Sequence, residues 1–171
     1  GIDDEGQQVI IVLTISVLIP FLFFNLPFLI NSSRQVFMGD AGSMFFGLLI
    51  AYYLIDFSQR DIPLMSPSAV PWLIALPILD MVSVILTRIC SGMSPTKPDR
   101  AHLHHLLVAK GLSNISVLLV LLATQMVFIS VGLAGTFFEW PDSYLFFGFL
   151  LLILVYFLSF RSLQRSVKQT V

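Results

Sequence analysis

Charge is what this sequence has least of. Only 11% of its 171 residues are Asp, Glu, Lys or Arg, where a soluble domain carries about 25%. A chain so poor in charge and 57% hydrophobic cannot present an ordinary water-facing surface. Its mean hydropathy of +0.92 points to a bilayer instead. Basic excess is missing too, and a net charge of −1 gives no footprint for a nucleic-acid partner. Cysteine is nearly absent; the single Cys90 excludes an internal disulfide framework. No basic run precedes the first apolar stretch, so the start does not read as a signal peptide, and the opening at Gly1 leads us to expect a piece of a longer chain.

What is present is apolar length. A helix needs roughly 20 apolar residues to cross the hydrocarbon core, and five stretches qualify: 9–30, 41–57, 69–90, 115–138 and 144–160. Backbone groups in lipid must be satisfied within the segment, which selects helices over isolated strands. The expected fold is therefore all-α, a polytopic integral membrane bundle of about five transmembrane helices forming one membrane domain over residues 1–171. Pro20, Pro27, Pro71 and Pro77 mark places where these helices should bend or break. Trp72, Trp140 and Tyr144 fall near the proposed interfaces, as an aromatic belt would have them.

Basic residues set the orientation. Arg34, Arg88, Lys97, Arg100, Lys110, Arg161, Arg165 and Lys168 fall on one side, and Arg60 alone on the other. The 31–40 and 91–113 connections and the C-terminus are thus expected in the cytoplasm, with Gly1–Gln8 outside.

Those two cytoplasmic connections carry the chemistry. In "SSRQVFMGDAGSMFFG", Gly39 and Gly42 flank Asp40 and let the backbone approach a ligand closely, with N–H groups free for an anion. A hard cation such as Mg²⁺ is held by one or two carboxylates plus substrate phosphates, which suits Asp40. The competing reading makes Asp40 a helix N-cap, with Gly39, Gly42, Ser43 and Gly47 serving close helix packing. In "SPTKPDRAHLHH", all three histidines of the chain, His102, His104 and His105, gather beside Lys97 and Arg100. So many N–H donors suit a phosphate or pyrophosphate. His102 and His105, three apart, should share a helix face, with His104 pointing elsewhere. Structural zinc is disfavoured because no second ligand cluster accompanies them; a merely basic loop would use Lys and Arg. Asp80, in "LPILDMVSV", sits near the middle of the third span, with Ser83 and Thr87 continuing a polar stripe. An intramembrane carboxylate is either a functional site or a structural group paired across the bundle, and the sequence leaves both open.

Together, "FMGDAGS" (37–43), "LPILD" (76–80), "SPTKPDRAHLHH" (94–105) and the upstream Asn25–Leu26 resemble the polyprenyl-phosphate N-acetylhexosamine-1-phosphate transferase family. The His-x-His-His run is more similar to its undecaprenyl-phosphate N-acetylglucosaminyl branch than to its phospho-MurNAc-pentapeptide branch. The resemblance implies a bacterial inner-membrane enzyme that transfers an N-acetylhexosamine 1-phosphate from a UDP-sugar to undecaprenyl phosphate, releasing UMP, with Mg²⁺ (or Mn²⁺) as cofactor. It casts Asp40 as a catalytic metal-site residue and His102 as a second catalytic group. Arg100, His102, His104 and His105, with Gly39, Gly42 and Ser43, would bind substrate phosphates. A homodimer is left open.

The family also has an adjacent acidic pair on an earlier cytoplasmic loop and an Asn- and Asp-containing loop before "FMGDAGS". Neither is present. Asp3–Asp4 is no substitute, because the charge distribution puts it on the outer face. The chain therefore resembles a C-terminal half, which is not expected to catalyse alone. Two rival readings remain: a small transporter with Asp80 in a polar pathway, and a non-catalytic membrane subunit.

Overall fold

The computed structural model describes residues 4–26, 36–61, 63–94 and 102–170. They form seven helices: α1 (Asp4–Asn25), α2 (Gly39–Gln59), α3 (Val70–Leu73), α4 (Ala75–Cys90), α5 (Leu103–Ala109), α6 (Asn114–Phe137) and α7 (Asp142–Thr170). Four are long and apolar enough to cross a membrane, at Glu5–Asn25, Gly39–Gln59, Asn114–Phe137 and Asp142–Val167. Their side chains are largely outward-facing hydrocarbon, with Val12, Leu13, Leu48, Leu122 and Leu151 all exposed. Such surface is stable only against lipid. The chain is a multi-pass, all-helical membrane protein.

The expected third span, 69–90, is not one helix. It is broken at Ile74, whose φ of −127° and ψ of 32° lie outside the helical region. The prolines give the reason. Pro77 has no N–H to donate to the Leu73 carbonyl four residues back. The gap is filled from α6, where the Gln125 carboxamide donates to Leu73 O at 2.9 Å and accepts from Leu76 N at 2.9 Å. One side chain replaces two missing helical bonds, which matters where water is not available to do so. The other boundaries move as well. The first helix begins at Asp4 rather than Val9, and α7 continues past Phe160 to Thr170.

The chain forms two compact units, residues 1–47 and 48–171. In the second, Trp72 is a core residue rather than a member of the belt. It is 7% exposed, packs with Ala69, Ala75, Leu79, Leu145 and Phe149, and donates its indole N–H to Leu145 O at 3.2 Å. Gly132 makes room for it: a Cβ there would sit 2.8 Å from Trp72 Cβ and 3.1 Å from the Ala69 carbonyl. Trp140 and Tyr144 stay exposed. A second cluster of Val84, Leu106 and Phe160, flanked by Leu103, Tyr156, Leu163 and Val167, seats short α5 against α4 and α7.

Candidate functional site

Asp40 lies within the first turn of α2, not at its cap, since the helix begins one residue earlier. Gly39 has φ +71°, a left-handed conformation that a side chain would strain. A Cβ at Gly42 would come to 2.7 Å from Met38 Cγ, so the Met38 side chain would have to shift. The Ser43 hydroxyl is turned back on its own helix, donating toward the Gly39 and Asp40 carbonyls at 3.0 and 3.1 Å. Asp40 itself is exposed, and no described donor engages its carboxylate. The helix dipole favours its negative charge there. A carboxylate with all its lone pairs open can serve as one ligand of a divalent cation that takes its remaining ligands from phosphates.

In the second unit, the histidine run meets Asp80. One carboxylate oxygen lies 2.9 Å from His102 Nδ1, and the other accepts the Leu103 N–H at 2.8 Å. His102 has the extended backbone of an N-cap (φ −67°, ψ 151°) but makes no capping bond with its own side chain. Asp80 supplies that cap from α4, satisfying one of the free donors at the start of α5. The same carboxylate fixes the imidazole by Nδ1 and leaves Nε2 for a ligand. Leu121, which lines a cavity of about 180 Å³ with Asp80 and His104, is two helical turns into α6 from Asn114, about 10 Å along its axis.

His104 does not point away from the other two. Its ring lies between them, 6.1 Å from His102 and nearly parallel to it, and 4.0 Å from His105. His102 precedes the helix, so helical spacing does not govern where its ring lies relative to those of His104 and His105. Burial holds the His104 imidazole below the usual 6.5, His105 and then His102 lower it further, and Asp80 opposes them. Arg100, the remaining expected phosphate ligand, lies outside the described residues, as does Lys97. Two contributors were not anticipated. Gln125 looks like an ordinary polar interruption of a span, and only its reach across the Ile74 break gives it a role. Tyr156 comes within electrostatic range of Asp80 from α7. Its hydroxyl, with those of Ser83 and Thr87, is buried without a hydrogen-bond partner among the described residues.

Residues 2–58 match glycosyl transferase family 4. Over 139 residues, 81% of the chain, the sequence is 36% identical to an undecaprenyl-phosphate alpha-N-acetylglucosaminyl 1-phosphate transferase of Haemophilus influenzae and covers 39% of that protein. The chain is similar to glycosyl transferase family 4 over residues 2–58. Proteins of the same description from Pasteurella multocida and Escherichia coli K12 are 33% and 30% identical, over 81% and 90% of the chain and 39% and 41% of their own lengths. The chain thus spans about two fifths of the length of the curated relatives it matches. No solved structure matches it.

Proposed function

We propose that the protein to which this chain contributes transfers N-acetylglucosamine 1-phosphate from a UDP-sugar to undecaprenyl phosphate at the cytoplasmic face of a bacterial inner membrane, initiating cell-surface polysaccharide synthesis. A phosphate oxygen of the lipid attacks the β-phosphorus of the UDP-sugar. A new P–O bond forms as the β-phosphorus parts from the oxygen bridging it to the α-phosphate, and UMP leaves with that oxygen. Nucleophile and electrophile are both anions, so fixed positive donors must offset their repulsion. Mg²⁺ would supply part of that offset, held in this chain by Asp40.

The observation that carries the reading is the pairing of Asp80 with His102. It turns a run of imidazoles into a fixed group with Nε2 of His102 open, the form a phosphate grip needs. His104, kept from protonating by burial and its neighbours, is suited to donate a hydrogen bond as a neutral ring. Arg100 would add a bidentate grip on the pyrophosphate. The relatives' names support the sugar and the acceptor. The acidic groups missing from this stretch would come from the remaining three fifths of the protein.

The test is UMP release by the full-length protein in membranes supplied with UDP-N-acetylglucosamine, undecaprenyl phosphate and Mg²⁺. Release that requires all three and is lost in Asp40→Asn supports the reading. Absence of UMP in the unmodified protein would return the transporter and subunit readings to the front.

A further inference from the structure

Along its C-terminal half, α7 keeps two distinct faces. Tyr156, Phe160, Leu163 and Val167 pack toward Val84, Leu103 and Leu106, and so hold α5. Another face presents Leu158, Arg161, Ser162, Arg165, Ser166 and Gln169, at i, i+3, i+4, i+7, i+8 and i+11, which line one continuous groove. Leu158 is 58% exposed at the apolar end of that groove. The Arg161 guanidinium rests over the Phe157 ring at 5.7 Å. Neither Arg161 nor Arg165 has a carboxylate partner among the described residues. Lys110, the C-cap of α5, donates to the Ser166 hydroxyl.

We propose that this groove binds the phosphate headgroup of an anionic phospholipid in the surrounding leaflet. Two guanidinium groups one turn apart, with Ser162 between them in the chain, offer donors for the oxygens of a phosphate. The groove is open to water, so charge alone would hold a free anion weakly. A lipid brings acyl chains that bury against Leu158 and its apolar neighbours, adding a force a soluble anion lacks. The site also has a mechanical consequence. Ser166 is tied to Lys110, and the opposite face of α7 supports α5, so an occupied groove steadies the helix that carries His104 and His105. The inference concerns lipid binding and does not depend on the transfer reaction.

The experiment measures retention of phosphatidylglycerol against phosphatidylethanolamine of the same acyl chains, by native mass spectrometry of the full-length protein released from detergent. We expect preferential retention of phosphatidylglycerol. Arg161→Gln with Arg165→Gln should weaken it about thirtyfold, and the exposed Arg165→Gln alone about fivefold. The single variant keeps the test readable should the pair disturb folding. Equal retention of the two lipids, or unchanged phosphatidylglycerol retention in Arg165→Gln and the pair, would overturn the proposal. Displacement of the lipid by low-millimolar inorganic phosphate would also overturn it, marking the groove as a free-anion site.

Discussion

Asp40 and Asp80 are both carboxylates set in apolar sequence, and their surroundings treat them in opposite ways. Asp40 sits in the first turn of α2 with its oxygens unclaimed among the described residues. Asp80 has one oxygen committed to His102 and the other to the start of α5. A carboxylate with open lone pairs can take a cation; one with both oxygens engaged acts by holding its neighbour. On the proposed function the first would serve chemistry and the second positioning; the sequence had left Asp80 open between a functional site and a structural group.

The largest expected effect tests the open carboxylate. Asp40→Asn should cut UMP release by the full-length protein about 10³-fold, because several kcal/mol of charge stabilisation would go with the cation. Its thermal unfolding should stay put, since an exposed side chain without partners contributes little to stability. A large drop in melting temperature would mean that Asp40 is structural and would erase the contrast with Asp80.

Asp80→Asn should cost less activity but more stability. Loss of an orienting hydrogen bond to a functional imidazole typically reduces activity about 10- to 100-fold; the substituted amide has one acceptor oxygen where Asp80 serves two groups, so one of the two contacts is lost at ~1 kcal/mol. Steady-state kinetics should show the change mainly in KM for the UDP-sugar, as expected if Asp80 arranges a phosphate ligand instead of joining the reaction. An effect confined to kcat would move Asp80 to the reacting side of the comparison.

Three substitutions sharpen the comparison by disturbing the scaffold beneath Asp80. Gln125→Leu strands the Leu73 carbonyl and the Leu76 N–H at the break, at about 1–3 kcal/mol. Gly132→Ala forces a methyl between Trp72 and the Ala69 carbonyl for about 1–3 kcal/mol. Gly135→Ala should be milder, because the contact there is the movable end of Leu145. Thermal unfolding in detergent ranks the three.

The smallest effect is a titration. The His104 midpoint lies below 6.5, with burial as the first cause and His105 the second. By NMR of the imidazole nitrogens, His105→Ala should raise it without restoring 6.5, and Asp80→Asn should lower it further. The linkage sign follows. The native state holds fewer protons on His104 than the unfolded state, so this group's contribution to stability is present above 6.5 and is lost as pH falls through the depressed midpoint.

The sequence was readable where a segment is decided by its own composition. The apolar runs behind α1, α2, α6 and α7 need no partner to announce themselves, and four membrane-length helices stand where they were expected. It misled where a distant residue decides. The break at Ile74 needed Gln125, some fifty positions away in the chain, to make it tolerable, and Pro71 and Pro77 gave only half of that signal. His104 was misassigned to another face because His102 was counted as helical when it is the cap. The meeting of Asp80 with His102 joins two separately recognised motifs. Nothing in either motif names the other, because the contact depends on how α5 docks between α4 and α7. The helical run from Arg161 onward was read as tail, since its support comes from Leu163 and Val167 packing into that same junction.

The most direct test of the account is a double-mutant cycle on UMP release by the full-length protein, using Asp80→Asn, His102→Gln and the two together. If Asp80 works by holding His102, the double variant should be no slower than His102→Gln alone, within about twofold, because the orienting contact has nothing left to orient. If the two losses multiply, Asp80 acts on the substrate independently of His102, and the division between an open carboxylate and a positioning one is wrong.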